Sequence, residues 1–371
     1  MSGLDVAVLG AGGIVARAIV RDLADSEEVA RLRLLDLDAV RVKEVAASQG
    51  GGKATTAHVD ARSSLAPSLD GCAVLVNAAS YRVNLDAMRA ALKAGCHYID
   101  LGGLYWMTGR QLELDAEFMR ADLLAILGMG GSPGKTNVMA VRAARELGTT
   151  TVKEIRVSAA GRDPAPMPRD GDAMRVPYAL QTLVDEVTLK PVMLVDGRPT
   201  EMVPLRSGGA VEFPDPIGSG QTILTLHSEL RTFAGSFGCE QASFRLSLSP
   251  ELLAQLKRLV GAPRAEIAAA AARALPPSEE TVSGHVVEAS DNGRTVRVSA
   301  LTVPAREWGL GGGIVSTAAP AAAAVRLLAR GRIAARGVRP PERCVDPDDL
   351  FPELEGRGCR FAIETREAVG G

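Results

Sequence analysis

Net charge is nearly absent from this chain: 42 Lys and Arg against 44 Asp and Glu leave −2 over 371 residues. No global field pulls it toward nucleic acid or an anionic membrane, so neither partner is expected. The one basic stretch, Arg326 to Arg343, reads as the polar face and C-terminal end of a helix, where arginine suits the dipole. Cysteine is sparse and unpatterned: Cys72, Cys96, Cys239, Cys344 and Cys359 form no C-x-x-C pair and have no histidine cluster nearby. That argues against a disulfide framework and against a metal site, and makes the reducing cytoplasm the simplest home. No charged-then-apolar leader opens the chain, and no uninterrupted apolar run reaches about 18 residues, so neither an export signal nor a membrane span is expected. Aromatic residues are few, with 4 Tyr and 2 Trp.

What is present begins with Val6-Ala7-Val8-Leu9-Gly10-Ala11-Gly12-Gly13-Ile14-Val15-Ala16, an apolar strand running through a glycine turn into a helix. Backbone without side chains can press against a pyrophosphate there, and the helix N-terminus offers free N–H groups and a positive dipole end. Leu32-Arg33-Leu34-Leu35-Asp36 reads as the next strand and ends in a carboxylate 23 residues after Gly13. That spacing suits an acid accepting hydrogen bonds from an adenosine ribose. Asp36 would repel a 2′-phosphate, so NAD is favoured, with NADP kept as the other option because Arg41 is close by. Counted as G-x-G-x-x-G, the last position is Val15, which lacks the small residue needed for close helix–strand packing. Counted as G-x-x-G-x-x-A, the small positions are Gly10, Gly13 and Ala16.

The first 140 residues alternate strand and helix, which means a parallel sheet covered on both faces. Expected helices cover 16–25, 39–48, 84–94 and 112–121, with Gly95 capping the third. Asn77, Asp100 and the loop Gly130-Gly131-Ser132-Pro133-Gly134 fall at strand ends, where such sheets bind ligands. The middle third differs. Val152–Val157 alternates as a half-buried strand, 178–187 reads as a helix, and Asp196-Gly197 and Asp291-Asn292-Gly293 predict hairpins. The expected fold is therefore α/β: a doubly wound (Rossmann) sheet over 1–140, then an α+β domain with a mixed, mainly antiparallel sheet over 141–312. Residues 313–371, a low-bulk alanine-rich helix and a tail, are expected to return to the first domain.

Several segments together resemble the saccharopine dehydrogenase-like family, with the lysine 6-dehydrogenase-like branch nearest. They are the glycine turn, Val59-Asp60-Ala61, Val76-Asn77-Ala78, Gly95-Cys96-His97-Tyr98-Ile99-Asp100-Leu101-Gly102-Gly103 and Gly131-Ser132-Pro133-Gly134-Lys135-Thr136-Asn137. The C-terminal Arg330-Gly331-Arg332-Ile333 and Arg336 to Glu342 are similar to that branch as well. The resemblance implies hydride transfer between a nicotinamide nucleotide and the C–N bond of an amino acid. It further implies that Asp60 and Ala61 border the adenine, that Asn77, Ala78 and Ala79 line the cofactor, and that the protein is a homodimer.

Oxidising an amine carbon requires a neutral amine, so a proton acceptor is needed, and a substrate carboxylate calls for a cation. His227, in Thr225-Leu226-His227-Ser228-Glu229-Leu230-Arg231, is the candidate acid/base, or else a structural histidine. Arg231 is the candidate carboxylate binder, or else an ion-pair partner of Glu229 or Glu201. Asp100 either orients a substrate ammonium or caps the Leu101-Gly102-Gly103 turn. Tyr105 and Trp106 either wall the nicotinamide or pack in a core. His58, His97 and His285 read as structural. Lys135 follows a P-loop-like string, but position 129 is Met where G-x-x-x-x-G-K-[ST] needs glycine, which excludes a triphosphatase. Two other readings stay open: a reductive condensing synthase of the opine or carboxynorspermidine type, and a non-catalytic NAD-binding redox sensor.

Overall fold

Apolar runs of four to eight residues alternating with amphipathic stretches build the first part of the computed structural model, which describes residues 3–63, 65–148, 152–166, 168, 173–291 and 293–367. The chain runs β1 (Leu4–Leu9), α1 (Ile14–Ala24), β2 (Val29–Asp36), α2 (Ala39–Gln49), β3 (Ala54–His58) and β4 (Val74–Asn77). Next come α3 (Asn84–Ala94), β5 (His97–Asp100), α4 (Leu104–Leu112), α5 (Asp115–Arg120), β6 (Leu124–Ile126) and α6 (Lys135–Leu147). The middle of the chain gives β7 (Glu154–Arg162), α7 (Leu180–Thr188), β8 (Val192–Val195), β9 (Arg198–Glu201), β10 (Ser207–Phe213) and β11 (Gly218–Leu224). It continues through α8 (Phe233–Phe237), β12 (Gln241–Ser247), α9 (Pro250–Arg258), α10 (Arg264–Arg273), β13 (Val282–Ser290) and β14 (Arg294–Thr302). Last are α11 (Gly312–Ala329), β15 (Gly337–Arg339), α12 (Pro347–Glu355) and β16 (Cys359–Glu367).

Two units emerge, Met1–Val138 with Ser316–Leu354, and Met139–Val315 with Glu355–Gly371. The first holds a parallel sheet of order β15-β6-β5-β4-β1-β2-β3. Successive strands step outward from β1 in one direction through β3 and in the other from β4, so β1 and β4 flank the switch point where doubly wound sheets bind ligands. One face of this sheet is packed by Ala7, Leu9, Leu75, Tyr98 and Phe118, all buried. The second unit holds the mixed sheet β10-β11-β12-β7-β13-β14-β16, with β8 paired to β12 and to β9. Only β12 and β7 run parallel among these neighbours. Both architectures match the fold class read from sequence.

Three details correct the sequence reading. The tail beyond residue 355 does not return to the first sheet: β16 pairs along its whole length with β14, from Cys359 beside Thr302 to Glu367 beside Arg294. Strand alternation puts Phe361, Ile363 and Thr365 on one side of β16 and Arg360, Glu364 and Arg366 on the other. Second, α4 occupies 104–112, where only a turn and its aromatics were expected. Leu104 enters that helix at φ 55, a left-handed start that no propensity scale anticipates. Third, Arg326 is not on a polar face. It is buried and paired with Asp22 at 2.7 Å and Glu353 at 2.6 Å, while Arg330, Arg332, Arg336 and Arg339 also end in carboxylates of the same unit. Internal ion pairs thus occupy the basic stretch. α11 is apolar and long enough to cross a membrane by length and composition, yet Arg326 interrupts it and 78% of it is buried inside the protein. Of the two hairpin turns, Asp196-Gly197 joins β8 to β9 with both residues at positive φ, as a primed turn needs. Asn292 of the other lies outside the described residues.

Candidate active site

In the first unit the glycine turn is built by backbone. Gly10 and Ala11 donate to Leu35 O at 2.8 and 3.2 Å, and Gly13 N donates to Gly10 O at 3.0 Å. Gly10 sits at φ +75, and a Cβ there would lie 2.6 Å from Ala79 N, so only glycine fits against the Ala78-Ala79 segment. Gly13 precedes α1 in extended conformation and no side chain caps the helix, which leaves its first N–H groups for a ligand. Ala11 and Ala16 are buried whereas Ile14 and Val15 are half-buried. The register with small residues at Gly10, Gly13 and Ala16 is therefore the one the packing uses.

Asp36 ends β2 in front of this turn. Its carboxylate accepts Gly12 N at 2.8 Å and Asp38 N at 2.8 Å. A carboxylate has about four acceptor positions, so these two bonds aim the group and still leave room for ribose hydroxyls. Arg41 stands beside it, exposed and 3.4 Å from Asp38. Asp60 follows β3, tied to the same edge by Val59 N donating to Asp36 O at 2.9 Å, and Ala61 packs half-buried behind it. Glycine cradle, uncapped helix and aimed carboxylate fit a dinucleotide: Gly10 to Val15 would hold the pyrophosphate and Asp36 the ribose. Asp36→Ala is expected to weaken NAD binding about 10- to 100-fold, the worth of hydrogen bonds to a charged group. NADP affinity should hold or improve, and calorimetric titration with both coenzymes reads the difference.

Asn77 is placed differently from what the resemblance implies. Its amide is buried, with Nδ2 donating to Asn84 Oδ1 at 2.9 Å and Tyr98 OH at 3.1 Å, while Oδ1 accepts Ala79 N at 3.1 Å. Asn77 therefore positions Ala78 and Ala79, which supply the wall against Gly10. Asp100 belongs to the same network. It accepts Gly102 N at 2.9 Å, Gly128 N at 2.6 Å, Tyr98 OH at 3.0 Å, Gln111 Nε2 at 2.6 Å and Asn84 Nδ2 at 3.1 Å. Burial pushes its carboxyl above the usual range and these donors pull it back. With its acceptor positions filled, Asp100 caps the turn and knits β5 to α4, and has no lone pair left for a substrate. Tyr105 is buried on α4 with its ring edge-on to Trp106 at 4.8 Å, and Trp106 is 56% exposed. Tyr105 thus packs against Trp106.

The second unit contains a buried cluster of titratable groups. His227 Nδ1 hydrogen-bonds Glu229 Oε2, and its ring stacks on Phe244 at 3.6 Å with an 8° tilt. Tyr178 OH donates to Glu186 Oε2, and Glu186 O accepts Leu226 N at 3.2 Å, which sets α7 beside His227. Burial pushes the Glu186 carboxyl up to about 7, against the pull of His227 and the Tyr178 hydroxyl. For His227 burial acts downward, but the Glu229 and Glu186 carboxylates outweigh it and hold the imidazole above its ordinary value. Arg231, in contrast, is exposed. The structure thus gathers His227 with Glu186, Glu229 and Tyr178. Sequence reasoning named Glu229 only as an ion-pair partner of Arg231 and missed Glu186 and Tyr178, and the only signal for Glu186 was a charge beside the apolar stripe Leu180-Leu183-Val184-Val187 of α7. Among the described residues no three His, Cys, Asp or Glu side chains gather as a metal site requires.

Comparison with known proteins agrees with the first unit's geometry. Residues 6–126 match the family described as saccharopine dehydrogenase NADP binding domain. The fold is similar to that of apo saccharopine dehydrogenase (L-Glu forming) from Saccharomyces cerevisiae, with TM-score 0.69 and 15% identity, covering 98% of this chain and 100% of that one. It is also similar to homospermidine synthase from Legionella pneumophila in complex with NAD, with TM-score 0.76 and 12% identity, covering 98% and 93%. Over residues 6–126 the chain is therefore an NAD(P)-binding domain of the saccharopine dehydrogenase family of oxidoreductases.

Proposed function

We propose that this protein oxidises the CH–NH or CH–NH2 bond of an amino acid with NAD, or runs the reverse reduction, in the manner of a lysine 6-dehydrogenase or saccharopine reductase. What carries the reading is the presence, in one chain, of a coenzyme cradle and a buried imidazole–carboxylate cluster whose Glu186 titrates at about 7. When bound, the nicotinamide supplies the hydride acceptor. The chain's own residues supply the rest. Gly10 to Val15 and Asp36 hold and orient the coenzyme, and Ala78 and Ala79 close the cradle. The amine must lose a proton before its carbon gives up hydride, and the Glu186–His227 pair is tuned to take it near neutral pH. Arg231 is the candidate for the substrate carboxylate. Saccharopine and homospermidine, named in the two similar structures, are both secondary amines, which supports C–N chemistry. Five free thiols, four of them buried, suit a reducing cytoplasm.

The test is an assay of reduced-nicotinamide absorbance with a panel of amino acids including L-lysine, and in reverse with amines plus 2-oxo acids. Coenzyme reduction by at least one amine donor is expected. Turnover only when an amine and a carbonyl acid are combined would assign the condensing synthase instead. Tight dinucleotide binding with no turnover in either direction would leave the redox sensor.

A further inference from the structure

We propose that β16 is the seam of a homodimer, in which the β16 strands of two copies of this chain pair antiparallel and join their mixed sheets into one. β16 ends the sheet: β14 pairs with one side of it along its whole length, and among the described residues no strand pairs with the other. The two ends of the sheet are built differently. At the far end β10 is broken by a register shift between Ser207 and Gly209, with Gly209 at φ +84, an irregularity of the kind that protects an edge from further pairing. β16 runs for nine residues with no proline, glycine or register shift, an unbroken ladder edge that another strand can extend.

The residues of β16 select its partner. The bond from Val303 N to Gly358 O sets the phase of the β14 pairing, so residues 360, 362, 364 and 366 turn their backbone groups toward β14 while 361, 363 and 365 turn theirs outward. With a second copy antiparallel along that outer side and the two-fold axis at Ala362, Arg360 stands opposite Glu364 of the second copy and Glu364 opposite its Arg360. Phe361 likewise stands opposite Ile363 of the second copy. Opposite charges and apolar pairs directly across from one another are the stabilising combinations in an antiparallel ladder. In this register Phe361 and Ile363 form the hydrogen-bonded pairs, and Ala362 faces itself across a non-hydrogen-bonded pair, where side chains come closest. Phe361 and Ile363 share the face of Ala300 and Val298, which are buried, whereas Ile363 is 39% exposed. Pairing carries that apolar strip across the seam and covers Ile363. Moving the axis to Ile363 sets Arg360 against Arg366, and moving it to Glu364 sets that carboxylate against itself. The arrangement is isologous and closes on itself, so it yields a dimer rather than a filament.

One strand pair is a small interface, so the dimer should dissociate on dilution with a constant of about micromolar order. Sedimentation equilibrium of the full chain at concentrations up to about 200 µM reads it. Ile363→Pro removes an outward N–H and no bond to β14, so an edge strand tolerates it. Association should weaken at least about 100-fold, because the two-fold axis loses the same bond twice. In Ala362→Cys, mild oxidation should link two copies covalently, since the axis pair brings its Cα atoms to about 4.5 Å. In Glu364→Cys it should not, because two such positions lie beyond disulfide reach. Wild type oxidised in parallel is the blank. A monomer at about 200 µM, a dimer of unchanged affinity in Ile363→Pro, or a crosslink through Glu364→Cys and not through Ala362→Cys overturns the seam. If circular dichroism shows that Ile363→Pro does not fold, the two crosslinking variants decide.

Discussion

Asp100→Ala is expected to destabilise the first unit by about 3–5 kcal/mol, the range for removing one partner of a buried charged network. The reason is arithmetic at a single carboxylate. The Gly102 and Gly128 amides, the Tyr98 hydroxyl and the Gln111 and Asn84 amides all end on it; Asn84 Nδ2 keeps Gly102 O at 3.2 Å, while the other four lose this acceptor together. Each orphaned buried donor costs about 1–3 kcal/mol, and partial rearrangement recovers some of the sum. Gly103 leaves little room for rearrangement, because any Cβ there would sit 2.5 Å from Gln111 Oε1. Urea unfolding followed by circular dichroism measures the effect. The same variant separates two roles that the sequence left open. A turn cap lowers stability and leaves activity per folded molecule intact, whereas a substrate-binding acid would do the reverse. Wild-type stability in Asp100→Ala would show that the network is not holding β5 to α4. Because burial sets the Asp100 carboxyl above its unfolded value, this group's contribution is present at low pH and declines as pH rises through the folded pKa. Mild acid should therefore spare this network.

Gly10→Val should abolish measurable dinucleotide binding, a loss beyond about 100-fold. A β-branched residue at φ +75 costs about 1–2 kcal/mol in backbone strain alone. Its Cβ also meets Ala79 N at 2.6 Å and Ala79 Cα at 2.7 Å, which are backbone atoms that cannot swing aside. The turn must lift away from β4, and the pyrophosphate loses the surface it would lie on. Calorimetry with NAD and NADP reads the affinity, and circular dichroism checks that the variant keeps its fold. Retention of affinity within about threefold would place the coenzyme away from this loop.

These two glycine and carboxylate positions show what sequence makes legible. Gly10, Gly13 and Ala16 repeat at a spacing that backbone geometry demands, so the cradle and the Asp36 strand end could be read without coordinates. Asn77 and Asp100 were correctly placed at strand ends, yet their side chains turn inward to Asn84, Tyr98 and Gln111. Those partners come from other elements, and no local pattern announces them. The same limit hid the second unit's cluster. His227 and Glu229 are neighbours in sequence, but Glu186 and Tyr178 arrive from α7 and the segment before it, and only tertiary packing brings a helix-face carboxylate under a strand-end histidine. Strand β16 was missed for a similar reason. Nothing in Cys359 to Glu367 says which edge it will join, and β14 lies far upstream.

The interleaving of the two units has a consequence for synthesis. β6 is completed by β15, whose residues Gly337–Arg339 leave the ribosome only after the whole of Met139–Val315 has been made. The second sheet in turn waits for Cys359–Glu367 to cover the open side of β14. The first sheet therefore stays incomplete until most of the second unit has been made, and the second sheet is completed last. A gene fragment stopping at Val138 should thus yield an adhesive, incomplete sheet, and a separate peptide spanning 316–354 is the natural candidate to restore it in trans.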